Sequence, residues 1–110
     1  MKLTDLPTGV TDWSTLDASS QRGETGSATI KSRQLGDLQL RLVSYSAGYL
    51  ADHWCHKGHI VFVIAGSAII EHEDGRCYEL SAGMAYHVSD NERAPHRLTS
   101  HEGASVFILD

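Results

Sequence analysis

Three histidines and a cysteine fall within seven consecutive residues, His53-Trp54-Cys55-His56-Lys57-Gly58-His59, and an apolar run from Ile60 to Ala65 follows at once. Neutral imidazole and thiolate are the side chains that most readily bind divalent transition metals. A further imidazole stands far along the chain, at His96 in Ala94-Pro95-His96-Arg97. Donors bunched at one strand end, joined by another from a distant strand, are how a β-barrel builds a metal pocket. Each donor also has a plainer reading. A single inward histidine is more often a hydrogen-bonded core residue, and a free cysteine is often just a small buried apolar one. For Cys55 two readings stand: metal ligand, or close neighbour of a three-histidine site.

The remaining polar residues carry weaker signals. In a strand, alternate residues share a face, so His53 and Cys55 point one way and Trp54 and His56 the other. A slip of one residue in register would exchange them. Asp52 is placed to orient a ligand, or is a surface acid at a strand end. His72, between Glu71 and Glu73, reads as part of a solvated face. His87 is ambiguous, His101 falls in a loop, and Cys77 reads as plain packing. Trp54 and Tyr86 read as core or interface. Arg41 and Tyr45 share a strand face that lines either the pocket or the surface.

The elements that must hold these residues are strands. Short runs of strand type alternate with Gly, Asp and Ser turns, and helical periodicity is nearly absent, the mark of an all-β sandwich or barrel. Residues 1–26 are polar and rich in Gly, Ser and Thr; they read as an arm over the body, anchored by Trp13 and Leu16. A domain of residues 27–110 follows. Ser27 to Leu35 suits a first strand, and Leu38, Leu40 and Leu42 alternate with Gln39 and Arg41 in a second. Ile60 to Ala65 is apolar on both faces. Val61 and Val63 would face the lumen with His59, while Ile60, Phe62 and Ile64 need a cover. Gly66-Ser67 reads as a turn before Ala68-Ile69-Ile70, and Asp74-Gly75 as a hairpin turn. Cys77 to Leu80, Met84 to Val88, Pro95 to Thr99 and Ala104 to Leu109 complete the set.

Composition narrows the partners. A chain of 110 residues with a net charge of −5 is one domain, and without a Lys/Arg cluster it lacks the basic face that nucleic acid requires. No apolar run approaches membrane-spanning length, and the first residues show no signal-peptide core. Two cysteines do not make a disulfide framework, so the expected compartment is the cytoplasm.

The spacing resembles that of the cupins. Their first motif is a His-x-His pair, a Glu, and a glycine six residues later that closes a buried strand. Here His53-x-Cys55 takes the place of the pair, His59 that of the Glu, and Gly66 that of the glycine. Ser81-Ala82-Gly83 and Ala94-Pro95-His96-Arg97 resemble the second motif. Ala51-Asp52-His53-Trp54-Cys55-x-Lys57-Gly58-His59-Ile60 is similar to a small family named for an Asp-His-Cys-Trp-type motif. The resemblance covers Glu24 to Asp110. It implies a jelly-roll β-barrel (a double-stranded β-helix) and a metal held by His53, Cys55, His59 and His96. The usual three imidazoles and one carboxylate become three imidazoles and one thiolate, so the formal charge is unchanged. Softer sulfur shifts preference toward zinc, nickel or copper, with iron(II) still open.

Two functions follow from that resemblance. One is a metal-dependent enzyme acting on a small organic molecule in the barrel, of oxidoreductase, dioxygenase or isomerase type. The other is a non-catalytic module that binds a small molecule or metal. The sequence shows no obvious general base, and a thiolate beside oxygen-activating iron is exposed to oxidation. The uncovered face of Ile60, Phe62 and Ile64 leads to the expectation of a homodimer.

Overall fold

Period-two patterning becomes nine strands, in a computed structural model that describes residues 3–110. They are β1 (Ser19–Arg22), β2 (Ser27–Leu35), β3 (Leu38–Tyr45), β4 (Tyr49–Leu50), β5 (His59–His72), β6 (Cys77–Ser81), β7 (Ala85–Val88), β8 (His96–Ser100) and β9 (Ala104–Leu109). The helical content of the described residues is one short 3-10 turn, Trp13–Thr15, capped by the Asp12 carboxylate. No helix among them is long and apolar enough to cross a membrane.

All strand pairs are antiparallel, in the order β1-β2-β3-β9-β5-β8-β4, and β6 and β7 also pair with β5. The sheet curls on itself as a jelly-roll barrel. The long strand β5 serves both walls: its first part pairs with β9 and β7, its second with β8 and β6. Directly opposed residues point to the same side of a sheet. The row Ile30, Val43, Val106, Val63 therefore runs across four strands into the lumen, where Val43, Val63 and Val106 are buried.

The corner in β5 decides which of its residues face inward. Gly66-Ser67, expected as a turn between two strands, instead lies within one continuous strand. The ladder to β9 slips between Val63 and Ala65, and Gly66 follows with φ +76°. A Cβ at Gly66 would stand 2.1 Å from the Gly103 carbonyl oxygen, so this crossing requires glycine. The slip inverts the inward phase. Val61 and Val63 are buried before it; Ala68, Ile70 and His72 are buried after it. His72, expected on a solvated face, is 4% exposed for this reason.

The opposite side of the first wall is also apolar. Register places Leu42 beside Phe107 and Phe107 beside Phe62, all pointing outward. Trp13 packs edge-on against Phe107 at 6.4 Å, and its carbonyl accepts a hydrogen bond from Lys31 Nζ. The arm thus covers one part of this face, and Ile60, Phe62 and Ile64 stay exposed. Strand β1 lies within the same arm and extends the sheet through β2. The Leu38–Leu42 alternation turns its leucines outward, so Arg41, Val43 and Tyr45 face the lumen.

Candidate metal centre

Three donors converge at one end of the lumen. Cys55, His59 and His96 each bring a ligand atom within 4.8 Å of the other two. Two are clamped by backbone. Cys55 N donates to the His96 carbonyl at 2.7 Å, and His96 N donates back to the Cys55 carbonyl at 3.0 Å. This isolated bridge fixes the loop before β5 against the first residue of β8. The third donor, His59, opens β5 opposite Val88 of β7. Its Nε2 stands 2.8 Å from Nε2 of His96.

Donors around a tetrahedral ion, at about 2.0–2.3 Å from it, lie roughly 3.3–3.7 Å apart. The spread here, from 2.8 Å to within 4.8 Å, brackets that spacing, so small side-chain rotations bring the set to it. Protonation suits it as well. Burial, then the neighbouring Arg41 guanidinium, lowers the His59 pKa, with Asp110 opposing. Burial, then His59, His72 and His56, brings that of His96 down to about 4. Both rings are therefore neutral at neutral pH, the form that offers a lone pair to a metal. This Cys-His-His group can hold a transition-metal ion.

Behind His59 lies a carboxylate. Asp110, its side chain 1% exposed, points Oδ2 at Arg41 (3.0 Å), Lys57 Nζ (3.4 Å) and His59 Nδ1 (3.8 Å). His59 Nδ1 is buried with no closer partner. A proton on Nδ1 faces this carboxylate and leaves the Nε2 lone pair toward Cys55 and His96. Metal-binding histidines are commonly oriented in this way by a carboxylate on the other ring nitrogen.

His53 stands apart from the group. Its Nδ1 is paired with Asp52 Oδ1 at 2.7 Å, and the ring is 67% exposed at the rim of the cavity. That contact holds the Asp52 carboxyl below its usual range. Residues 51–54 form a loop rather than a strand, so the alternation that puts His53 beside Cys55 does not operate there. His56, His87 and His101 are exposed. Trp54 lies under the Arg97 guanidinium at 4.4 Å, and Arg97 also donates to Glu71. Cys77, expected as packing, is exposed.

Two neighbours of the donor group were not apparent from sequence. Asp110 carries no motif around it. His72 sits deep in the barrel, its ring 5.7 Å from that of His96. Its Nδ1 lies 2.9 Å from the Ala94 carbonyl, an acceptor only, so Nδ1 carries the proton. Its Nε2 then accepts from the Tyr86 hydroxyl at 2.7 Å, and burial pushes the Tyr86 pKa up to about 12. The signal for His72 was its even spacing from Ala68 and Ile70.

A cavity of about 140 Å³ opens beside the donors. Its walls combine Cys55, His59 and His96 with Arg41, Tyr45 and an apolar sector. Burial raises the Tyr45 pKa, which keeps its hydroxyl protonated.

Solved structures with the same architecture are numerous. An RmlC-like cupin from Shewanella frigidimarina superposes with a TM-score of 0.70 at 14% identity, over 96% of this chain and 92% of its own. Ectoine synthase from P. lautus gives 0.73 at 18% identity, over 93% and 76%. The chain has the cupin fold. A third match, hydroxypropylphosphonic acid epoxidase from S. wedmorenis, gives 0.72 at 13% identity over 96% of this chain and 61% of the epoxidase. No family model matches the sequence, and no curated protein is significantly similar to it. Likeness at such low identity establishes the fold, and the chemistry must be argued from the site.

Proposed function

We propose that this cupin is a metal-dependent enzyme acting on a small organic molecule within the barrel, of oxidoreductase or isomerase type. One observation carries the reading: three protein donors, Cys55, His59 and His96, meet at the wall of an internal cavity. Catalytic metal sites keep three protein ligands and one open position, whereas structural sites are closed by four. His53, turned to Asp52 at the rim, leaves the fourth position to the lumen. Two of the similar structures are of enzymes by their own descriptions, which supports the same kind of role here.

The residues divide the work. Cys55 supplies the negative charge and the soft donor, which favours zinc, nickel, copper or iron(II) over magnesium or calcium. His59 and His96 supply neutral imidazoles, and Asp110 orients His59. A bound divalent ion would supply Lewis acidity, or a redox centre if it is iron or copper. The hydroxyls of Tyr45 and Tyr86 stay protonated, and that of Tyr86 donates its hydrogen bond to His72 Nε2. The apolar residues Val43, Val61, Ile70, Leu98 and Ile108 give the molecule in the lumen a dry surface to pack on.

Elemental analysis and cobalt(II) substitution test the proposal. One transition-metal ion per chain is expected, with a sulfur-to-cobalt charge-transfer band that is lost in Cys55→Ser. Added azide should shift the cobalt bands, because the fourth position is open. Failure to take up zinc, nickel, iron or copper ends the reading. Stoichiometric cobalt whose spectrum ignores azide favours a closed, non-catalytic metal module.

A further inference from the structure

The cavity wall beside His59 carries a charged group that the metal does not need. Arg41 lies in the middle of β3, where the outward leucines on either side turn it into the lumen. A guanidinium has five N–H donors. Asp110 Oδ2 takes one, from an Arg41 terminal nitrogen at 3.0 Å, and no other group among the described residues accepts from Arg41. Its Nε is buried and without a partner. Asp110 meets its neighbours through Oδ2 alone, and its Oδ1 is buried without a partner. Arg41 and Lys57 both lean on the same oxygen, and His59 stands behind it. Lys57 reaches that oxygen from the solvent side, its side chain 60% exposed, so Arg41 is the one of the two that lines the cavity. What the cavity meets is therefore a guanidinium with unused N–H donors.

The rest of the wall sets the shape of what those donors would take. Val43, Val61, Ile70, Leu98 and Ile108 line the same cavity. A bare inorganic anion would leave this apolar sector wet. The volume, about 140 Å³, is close to the roughly 150 Å³ of an engineered apolar cavity that accepts benzene. The ligand therefore has about six non-hydrogen atoms, one charged end and one apolar end.

We propose that the lumen binds a small organic carboxylate, with its carboxylate on the free terminal N–H groups of Arg41 and its short apolar stem on the valine and isoleucine wall. Arginine presents paired donors in a rigid fork that matches a carboxylate. Cys55, His59 and His96 line the same cavity, so the bound molecule lies beside the metal donors. This names the substrate class for the function proposed above and rests on the lumen being the reaction site. It does not rest on the metal being bound.

Calorimetric titration of saturated monocarboxylates from formate to octanoate, against chelated and zinc-loaded protein, tests the assignment. Affinity is expected to climb to butyrate or pentanoate and fall beyond, as the cavity fills. Butyrate should bind at least about tenfold better than butyramide, which keeps the shape without the charge. Arg41→Gln should lose about 10- to 100-fold in butyrate affinity, the worth of a charged hydrogen-bonded contact. Arg97→Gln, whose guanidinium is already taken by Glu71 and Trp54, should lose little. The butyrate–butyramide comparison and the chain-length series need no variant, so they decide the matter even if Arg41→Gln does not fold. Equal binding of butyramide, inorganic phosphate held as tightly as butyrate, or no binding at millimolar concentration would overturn the proposal. Butyrate bound only by the zinc form would also overturn it, since the anion would then sit on the metal. Failure to load metal while butyrate still binds the chelated protein would refute the metal reading and leave this one standing.

Discussion

Removal of the Asp110 carboxylate is the sharpest probe of how the centre is held. In Asp110→Asn the shape is kept and the charge is lost. Two effects then act in the same direction. His59 Nδ1 loses the anion 3.8 Å away that selects its tautomer, and Arg41 and Lys57 are left as two cations without the carboxylate between them. Loss of such an orienting partner typically weakens metal affinity about 10- to 100-fold, or about 1.4–2.7 kcal/mol. Linkage converts that into a melting experiment. With metal at about 100 times the Kd of the unaltered protein, binding stabilises the fold by about 2.7 kcal/mol. The same concentration leaves the variant only about 0.4–1.4 kcal/mol, by the same relation. For a domain of this size, each kcal/mol moves Tm by about 4–8 °C. The zinc-induced rise in Tm should therefore shrink from roughly 11–22 °C to roughly 2–11 °C. The variant also loses stability without metal, because Arg41 no longer has its buried partner. For that reason the increment, and not the absolute Tm, is the quantity to compare. Scanning fluorimetry with and without zinc reads it directly, and a cobalt spectrum that keeps its sulfur band shows that Cys55 still binds. An unchanged increment, with zinc affinity equal to that of the unaltered chain, would refute the orienting role of Asp110.

Three further outcomes are expected. As a thiolate ligand, Cys55 should resist iodoacetamide in the metal-loaded protein and react after chelation, while exposed Cys77 should react in both states; equal Cys55 rates would remove it from the metal. Tyr86→Phe leaves the buried Nε2 of His72 without a donor and should cost about 1–3 kcal/mol in a urea melt, whereas a variant as stable as the original would show that the contact contributes nothing. We propose a two-fold dimer through the exposed strip of Ile60, Phe62 and Ile64: Phe62→Glu should dissociate or aggregate it, and light scattering that gives a monomer mass for the unaltered chain at micromolar concentration would count against it.

Much of this protein was legible as a string because it depends on residue type and short-range period. Alternation and turn residues announced an all-β chain. The doubly apolar Ile60–Ile64 strand announced one lumen-facing and one outward row, and Val61 and Val63 are indeed buried while Ile60, Phe62 and Ile64 are not. The sequence marked out His53, Cys55, His59 and His96 as a metal-type donor set, and the structure brings three of them together, Cys55, His59 and His96. These are local signals, written in a few adjacent positions.

What the string left undecided depends on where strands bend and which distant backbone they meet. Face arguments assume an unbroken ladder. A one-residue slip at Val63–Ala65 reverses every face beyond it, and that slip is made by the close crossing of Gly66 over Gly103, a contact between positions far apart in sequence. His72 went from surface to core on that account. His53 and Cys55 are separated for a related reason: only Cys55 is captured by the His96 backbone, and His53 stays on a free loop. The leucines of β3 alternate clearly, but only pairing with β9 shows that they face outward and that Arg41 faces in. Asp110 has no local pattern at all. The residue types for a metal site are set by the sequence, whereas membership of that site is decided by register and curvature, which arise only when the whole sheet closes.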